Sequence, residues 1–491
     1  MKSTATSTAI IIGQPETCRQ LQQQLELLAD RPVILGWVFA GATDLSYSPL
    51  DSDAPLLGWI EQLESIIAKR KPALALVSLP AAMTDLITTI RTRLRRLGIA
   101  DRFMPTLVDL LNGVGPRSIL DTDLSALIDR PPRQIHRDKI RTLIAGQRIL
   151  ITGAGGSIGS ELARICSEYD PAELILVERS ENALFEIDRQ IARLKPQLSR
   201  RALLHDVVDA KPLLEHFRII KPDVVFHAAA HKHVPLMEDH PAAAIDNNFF
   251  GTKSVADASH EVGVKRFVMI STDKAVMPQS IMGMTKRLAE KYVQSMSHSS
   301  TAFAMVRFGN VLGSAGSVLE TWAKQIADGG PLTVTDPEMT RYFMTIPEAA
   351  ALVLQSATMV DGNASGGQVF VLDMGQPISI LELAKRFIRQ HNLEPVLAGD
   401  KKIGQTPGYL PIVFCGIRPG EKLHEQLASD GEPLEPTDHP DILRTSPPTP
   451  SDIQIQQIIH ELSPNVRNND PVALAGIIRR LVPYKTETAV A

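Results

Sequence analysis

The run from Ile149 to Leu162, Ile-Leu-Ile-Thr-Gly-Ala-Gly-Gly-Ser-Ile-Gly-Ser-Glu-Leu, constrains this chain more than any other part of it. An apolar stretch ends in a glycine-rich turn, and a helical pattern begins directly after it. Only glycine permits so tight a turn and lets peptide N–H groups approach a pyrophosphate at a helix N-terminus. The spacing Gly153-x-x-Gly156-x-x-Gly159, with Ser157 and Ile158 between the last two, is weak alone. Its context strengthens it, because Glu178 ends the next apolar run about twenty residues on, where ribose hydroxyls would sit. A carboxylate there repels a 2′-phosphate and selects NAD over NADP, although Arg179, followed by Ser180, pulls the other way. Asp206-Val207 is placed to hold the adenine edge. Ala228-Ala229-Ala230 ends a later strand with side chains small enough for a cofactor to pass close to the backbone. Ordinary packing is the bland alternative for both.

Strand-like runs at Arg148–Thr152, Leu174–Val177, Val224–Ala228, Phe267–Ser271 and Ala304–Arg307 alternate with helical segments. That alternation predicts a doubly wound parallel sheet, an α/β Rossmann architecture. Beyond residue 308 the alternation is less regular, as expected of a smaller substrate lobe, placed mainly at residues 308–345 and 395–445. The first part of the chain reads as a second Rossmann-like α/β domain. Its strands are expected at Ala9–Gly13, Pro32–Ala40 and Ala73–Ser78, its helices at Thr17–Ala29, Leu57–Lys69 and Ala82–Leu97. Its first strand runs into Gly13-Gln14-Pro15-Glu16, which lacks the glycines a pyrophosphate needs, so this domain is not expected to bind a dinucleotide. Polar residues from Asp121 to Arg133, including Pro131-Pro132, suit a linker and place the boundary near residue 135. The domains are then 1–135 and 136–491.

A net charge of -4 gives no reason to expect nucleic acid as a partner. The one basic run, Arg91, Arg93, Arg95 and Arg96, reads as a solvated helix face. The 3 cysteines, Cys18, Cys166 and Cys415, show no CxxC spacing and fit a reducing compartment. No signal-peptide core or membrane span is read, so the expected location is the cytoplasm. His227, His231 and His233 cluster, but nothing completes a ligand set, and no metal is expected.

Polar residues gather at the end of the central strand, in Ser271-Thr272-Asp273-Lys274, where open α/β sheets bind ligands. A helix then opens with Met282-Gly283-Met284-Thr285-Lys286, which sets Met282 and Lys286 on one face. The glycine loop, Asn248-x-x-Gly251-Thr252, Thr272 and the Lys286 helix together resemble an extended short-chain dehydrogenase/reductase (SDR). Three strings resemble the bacterial polysaccharide-biosynthesis nucleotide-sugar 4,6-dehydratases: His231-Lys232-His233-Val234-Pro235, Ser271-Thr272-Asp273-Lys274-Ala275-Val276, and Ile417-Arg418-Pro419-Gly420-Glu421-Lys422. The likeness covers about residues 140–430. The N-terminal unit resembles the soluble domain of long membrane members, whose transmembrane helices this sequence lacks. The superfamily's Tyr-x-x-x-Lys has Met282 in the tyrosine place, as the long dehydratases do, and a thioether cannot transfer a proton.

The resemblance implies a UDP-N-acetylglucosamine 4,6-dehydratase retaining configuration at C5. Thr272 and Lys286 would position sugar and cofactor while the C4 hydrogen passes to NAD. Lys274, its pKa lowered by burial or neighbouring charge, would remove the acidified C5 proton. Asp273, protonated, would assist loss of the C6 hydroxyl, and the hydrogen would return to C6. The resemblance also assigns Asn248 and Lys286 to the cofactor, and Lys232, Asn310, Ser317, Arg341, Arg418 and Glu421 to the UDP-sugar. Arg341 and Arg418 would converge on the diphosphate; the bland alternative is a surface pair such as Arg418–Glu421. Helical faces around Gly251–Ser259 and Ile281–Tyr292 suggest a homo-oligomer, a dimer or higher. Two rival readings remain: a UDP-sugar 4-epimerase on the same scaffold, disfavoured by the Asp273-Lys274 pair, and a catalytically inactive nucleotide-binding regulator, motivated by Met282.

Overall fold

The structure, a computed structural model, describes residues 8–27, 31–41, 54–80, 83–104, 106, 124–128, 133, 135–296, 300–328, 330–360, 366–391, 393–397, 409–429, 431–468 and 470–483. Most of the expected linker, the ends of two N-terminal helices and the tail after Lys485 lie outside the described residues. The chain forms two compact units: residues 1–123 with 320–333 and 384–413, and residues 124–319 with 334–383 and 414–491.

The first unit contains a five-stranded parallel sheet ordered Leu56–Trp59, Val33–Phe39, Thr8–Gly13, Leu74–Ser78, Ala100–Phe103. Three of these strands were expected. The other two correct the sequence reading. Leu56–Trp59 is a strand that precedes a short 3₁₀ turn and the helix Leu63–Arg70, where one helix from Leu57 was expected. Ala100–Phe103 is an edge strand. In the basic run Arg96 is exposed, Arg93 is partly buried and makes a two-point ion pair with Glu64, and Arg91, also partly buried, pairs with Asp101.

The second unit is built on a nine-stranded sheet. Its parallel strands run in the order Arg200–Leu204, Glu173–Glu178, Arg148–Thr152, Val224–His227, Arg266–Ile270, Ala302–Arg307, Gln368–Leu372. In chain order this is 3-2-1-4-5-6-7, the Rossmann order, with its switch point between Arg148–Thr152 and Val224–His227. Ile442–Thr445 and Glu435–Pro436 extend one edge antiparallel. Ile149, Leu150 and Ile151 are fully buried because both faces of the sheet carry helices. A buried relay locks the switch point. Thr252 donates to the Asn248 carbonyl and accepts from His227 Nε2, leaving His227 Nδ1 to accept from Thr152. Burial, helped by the Lys286 charge, pushes the His227 pKa down to about 3, so this ring is neutral.

Of the two helical faces expected to make an oligomer, the Ile281–Tyr292 face packs within the chain. Helix Ile281–Gln294 shares one apolar cluster with the chain's own C-terminal helices, where Ile455, Ile458, Leu462, Leu474 and Ile478 join Ile281, Met284, Leu288 and Tyr292. The Ile281–Tyr292 stripe is core. Arg133, at the end of the expected linker, is tied down by Asp441 at 2.6 Å and Asp373 at 3.3 Å. Among the described residues, no helix is long and apolar enough to cross a membrane.

Candidate active site

At the switch point, strand Arg148–Thr152 turns through Gly153 into helix Ser157–Ser167. Gly153 has φ +63°, and a Cβ there would lie 2.7 Å from the backbone of Ala229. The turn and the small Ala228–Ala230 segment are therefore matched to each other. Gly153, Gly156, Glu178, Asp206 and Ala229 line one cleft, together with Asn247. Ser157 accepts a hydrogen bond from the Ala315 N–H, which leaves its own proton free to donate. Glycine N–H groups, a helix N-terminus and a hydroxyl donor fit a pyrophosphate.

The Glu178 corner of the cleft is tightly hydrogen-bonded. The Glu178 carboxylate accepts from the N–H groups of Gly155, Arg179 and Ser180 at 3.0–3.1 Å. Arg179 lies 3.7 Å from Asp206 and donates to the His231 ring, whose pKa is lowered by burial and then by Arg179 itself. Ile158 enters the helix behind the turn, and Val207 is buried beside Asp206. Asn248 was expected at the cofactor. It is fully buried, with its amide spanning the His231 backbone N–H and carbonyl and donating to Thr285. It thereby holds the backbone of His231, which lines the cleft with Asn247. Replacing Gly153 with alanine forces a left-handed residue, costing about 1–2 kcal/mol, against backbone that cannot yield. We expect dinucleotide affinity, measured by calorimetry, to fall at least about tenfold, a loss of roughly 1.4 kcal/mol. Unchanged affinity would remove the loop from consideration as a cofactor cradle.

The second cluster sits at the end of strand Arg266–Ile270. Asp273 opens a 3₁₀ turn capped by Thr272, and Thr272 also donates to Asp273 Oδ1 at 2.9 Å. Lys274 Nζ donates to the same Oδ1 and to Asn310 Oδ1, each at 3.0 Å. Asp273 is fully buried, and its Oδ2 has no hydrogen-bond partner. Burial pulls the Lys274 pKa down, but the Asp273 and Glu425 carboxylates outweigh it and hold it above the ordinary lysine value. This corrects the expectation of a lowered pKa: Lys274 rests as an ammonium.

Lys286 differs. It donates to the Ile270 carbonyl at 2.7 Å, and burial, opposed by Glu290, brings its pKa down to about 8. Met282 is buried within the apolar cluster, so the residue in the tyrosine place packs. Ser280 caps this helix through the Gly283 N–H. A Cβ on Gly283 would lie 2.2 Å from the Lys274 carbonyl, so glycine there lets the helix meet the turn.

Of the residues expected to hold the nucleotide sugar, Arg341 and Arg418 have partners within the protein. Arg341 is buried and donates to the carbonyls of Thr340, Lys422 and Leu423 at 2.7–3.0 Å, pinning the Ile417–Lys422 string. Arg418 is exposed and makes a two-point pair with Glu421, the bland alternative of the sequence reading. Lys232 is exposed. Ser317 Oγ is buried without a hydrogen-bond partner. Sequence reasoning missed Glu425, which is buried with Oε1 4.0 Å from Lys274 Nζ, and the paired charges Arg307, Glu290, Arg287 and Glu432 beneath the turn. Among the described residues, no group of three or more His, Cys, Asp or Glu is arranged to hold a metal ion.

Fold and site together define a Rossmann-type nucleotide-binding protein of the extended SDR kind, with a buried acid–lysine pair at a strand terminus. The chain belongs to the polysaccharide biosynthesis protein family, whose model matches residues 149–447. It is 39% identical over 434 residues to the probable polysaccharide biosynthesis protein EpsC of Bacillus subtilis, covering 88% of this chain and 70% of that one. It is 34% identical over 293 residues to a UDP-N-acetylglucosamine 4,6-dehydratase (inverting) of Campylobacter jejuni, covering 58% of this chain and 79% of the relative. The solved structure of Pen from Bacillus thuringiensis superimposes with a TM-score of 0.53 at 30% identity, covering 63% of this chain and 88% of that one.

Proposed function

We propose that this protein dehydrates a UDP-N-acetylhexosamine, UDP-N-acetylglucosamine first, to the 4-keto-6-deoxy sugar with NAD, supplying polysaccharide biosynthesis. The observation that carries this reading is the Thr272–Asp273–Lys274 cluster around the buried Asp273 carboxylate, at the end of the strand whose Ile270 carbonyl Lys286 holds, where Met282 leaves no phenol to move a proton. The name of the Campylobacter relative supports the same reaction class. The Gly153–Gly159 turn and Glu178 would hold the dinucleotide. Bound there, it supplies removal of hydrogen from the sugar and its return.

The protein's own residues supply the rest. Thr272 orients the sugar at the strand end, and Lys286, with a pKa near 8 and anchored on the Ile270 carbonyl, donates to hydroxyls of the sugar and cofactor. The resting ammonium of Lys274 passes a proton to Asp273 Oδ1 at 3.0 Å, which leaves an amine and a carboxylic acid side by side. The amine takes the C5 proton and the acid protonates the departing C6 hydroxyl. Each transfer is worth on the order of 10²–10⁴-fold. Asn310 holds the lysine in line.

Incubation with UDP-N-acetylglucosamine and NAD in heavy water, followed by NMR, tests the proposal. The expected product is a 4-keto-6-deoxy sugar with deuterium at C5, whose orientation also reports the stereochemistry. An inverted C4 hydroxyl with the C6 oxygen retained would make the protein an epimerase. Tight NAD binding with no turnover on any UDP-sugar would make it a regulator.

A further inference from the structure

Lys274 is held from more than one side. Its ammonium points at Asp273 Oδ1 and Asn310 Oδ1, both at 3.0 Å, and at Glu425 Oε1 at 4.0 Å. Glu425 comes from a segment about 150 residues further along the chain and is only 7% exposed. Its other oxygen, Oε2, is buried, lies 3.4 Å from Lys422 Nζ, and has no hydrogen-bond partner. Lys422 in turn donates to the Val276 carbonyl at 2.8 Å. The charges therefore alternate from Asp273 through Lys274 and Glu425 to Lys422. Arg341 is the other cation acting on Lys274, and it pins the backbone at Lys422 and Leu423, two residues before Glu425.

Neither carboxylate oxygen without a hydrogen-bond partner, Asp273 Oδ2 or Glu425 Oε2, would stay so without reason. A buried acceptor left unmade is costly, and such atoms collect where a ligand or proton completes them. Two buried acids facing one lysine exceed what anchoring a turn requires.

We propose that Glu425 is a positioning residue of the reacting centre, acting through Lys274: its carboxylate holds the lysine charged and in line until Asp273 takes the proton. This rests on the dehydratase reading for its chemistry, but its test does not need turnover. Glu425 opposes the proton transfer that arms the pair, and Lys422 tempers Glu425. Through Glu425 this segment is coupled to the proton chemistry of Lys274.

Competitive acetylation with acetic anhydride across pH, read by mass spectrometry of the Lys274 peptide, titrates this amine directly in the full chain with NAD. A unit charge at 4 Å at a partly buried site is a strong interaction. Glu425→Gln is therefore expected to move labelling of Lys274 to lower pH by about one unit, roughly a tenfold larger amine fraction. Glu425→Asp should restore much of the original profile, and Lys422→Met should move it the opposite way. Misfolding would drive both variants toward the profile of an ordinary exposed lysine, so opposite displacements identify the charge chain. In the active enzyme, the kcat optimum of Glu425→Gln should shift to lower pH while NAD affinity stays within twofold. Profiles of Glu425→Gln and Lys422→Met that superimpose on wild type would overturn the proposal. A protein inactive on every nucleotide sugar that still shows the opposite displacements would keep the charge chain and lose only the dehydratase reading.

Discussion

Lys274→Arg is expected to keep the fold and NAD binding but to lose deuterium entry at C5, with kcat down by about 10²–10⁴-fold. Arginine keeps a cation between Asp273 and Glu425, so the two buried carboxylates remain compensated. Its guanidinium does not deprotonate in proteins, so it cannot act as a base. Lys274→Ala should lose the same exchange and also destabilise, because it leaves Asp273 and Glu425 facing each other. Comparing the two separates the lysine's charge from its proton. NMR of substrate held in heavy water with NAD gives the exchange rate, and titration of protein fluorescence gives NAD affinity. Exchange in Lys274→Arg at the wild-type rate would reject Lys274 as the base and send the search to Lys286, the other buried lysine, whose pKa near 8 suits proton transfer at neutral pH.

The charge state of Lys274 shows where sequence reasoning reaches its limit. The pair Asp273-Lys274 was legible because its members are adjacent and end an apolar run. Burial alone would lower a lysine pKa, and that was the expectation. The sign is reversed by Asp273 first and then by Glu425, which is delivered by a loop whose local pattern marks it only as a charged residue. Arg341 shows the same limit. A guanidinium in a mixed string suits a diphosphate, but two backbone carbonyls brought in by a distant segment, with that of the adjacent Thr340, take it first.

The fold divides along similar lines. Arg148–Thr152 was legible to the residue because an interior parallel strand is apolar on both faces and is bounded by glycine. Ala100–Phe103 was not, because its Asp101 and Arg102 suit an edge, where one side meets solvent. Arg200–Leu204 is charged at its start for the same reason. Leu56–Trp59 runs into a helix without a break, so its apolar residues joined the helical period. The Ile281–Tyr292 stripe was visible as apolar. What covers it depends on helices more than 150 residues later, and no local pattern marks them as its partners.

Arg307→Leu is expected to be the most destabilising single change in this region, by roughly 3–5 kcal/mol. The Arg307 side chain has no exposed surface, bonds Glu290 at two points of 2.8 Å, and reaches Glu432 at 2.5 Å. Arg287 closes the ring, 3.0 Å from Glu290 and 2.6 Å from Glu432, and Ser271 donates to Glu290 at 2.7 Å. Leucine would pack, but it leaves two buried carboxylates sharing one arginine, and an uncompensated buried charge dominates the cost. Burial alone would raise the Glu290 pKa; Arg307, Arg287 and Ser271 outweigh it and bring it down to about 2. The folded state therefore binds fewer protons at Glu290 than the unfolded chain does. The stability this contributes is complete above the ordinary carboxylate range and is lost as pH falls toward 2. In Arg307→Leu burial regains the upper hand, the Glu290 pKa climbs, and the acid-sensitive window moves up toward neutrality. Urea melts between pH 4 and 8 should show wild type nearly flat down to about pH 5, while the variant weakens steadily below pH 7. Removing both partners, as in Arg307→Leu with Glu290→Leu, should cost less than Arg307→Leu alone, since no orphaned charge remains between them. A single variant within about 1 kcal/mol of wild type and with an unshifted acid limb would mean that the ring is solvated and contributes little. Because Ser271 precedes Thr272, and Glu290 lies one turn from Lys286, the same melt also measures how firmly the strand end beneath the reacting centre is held.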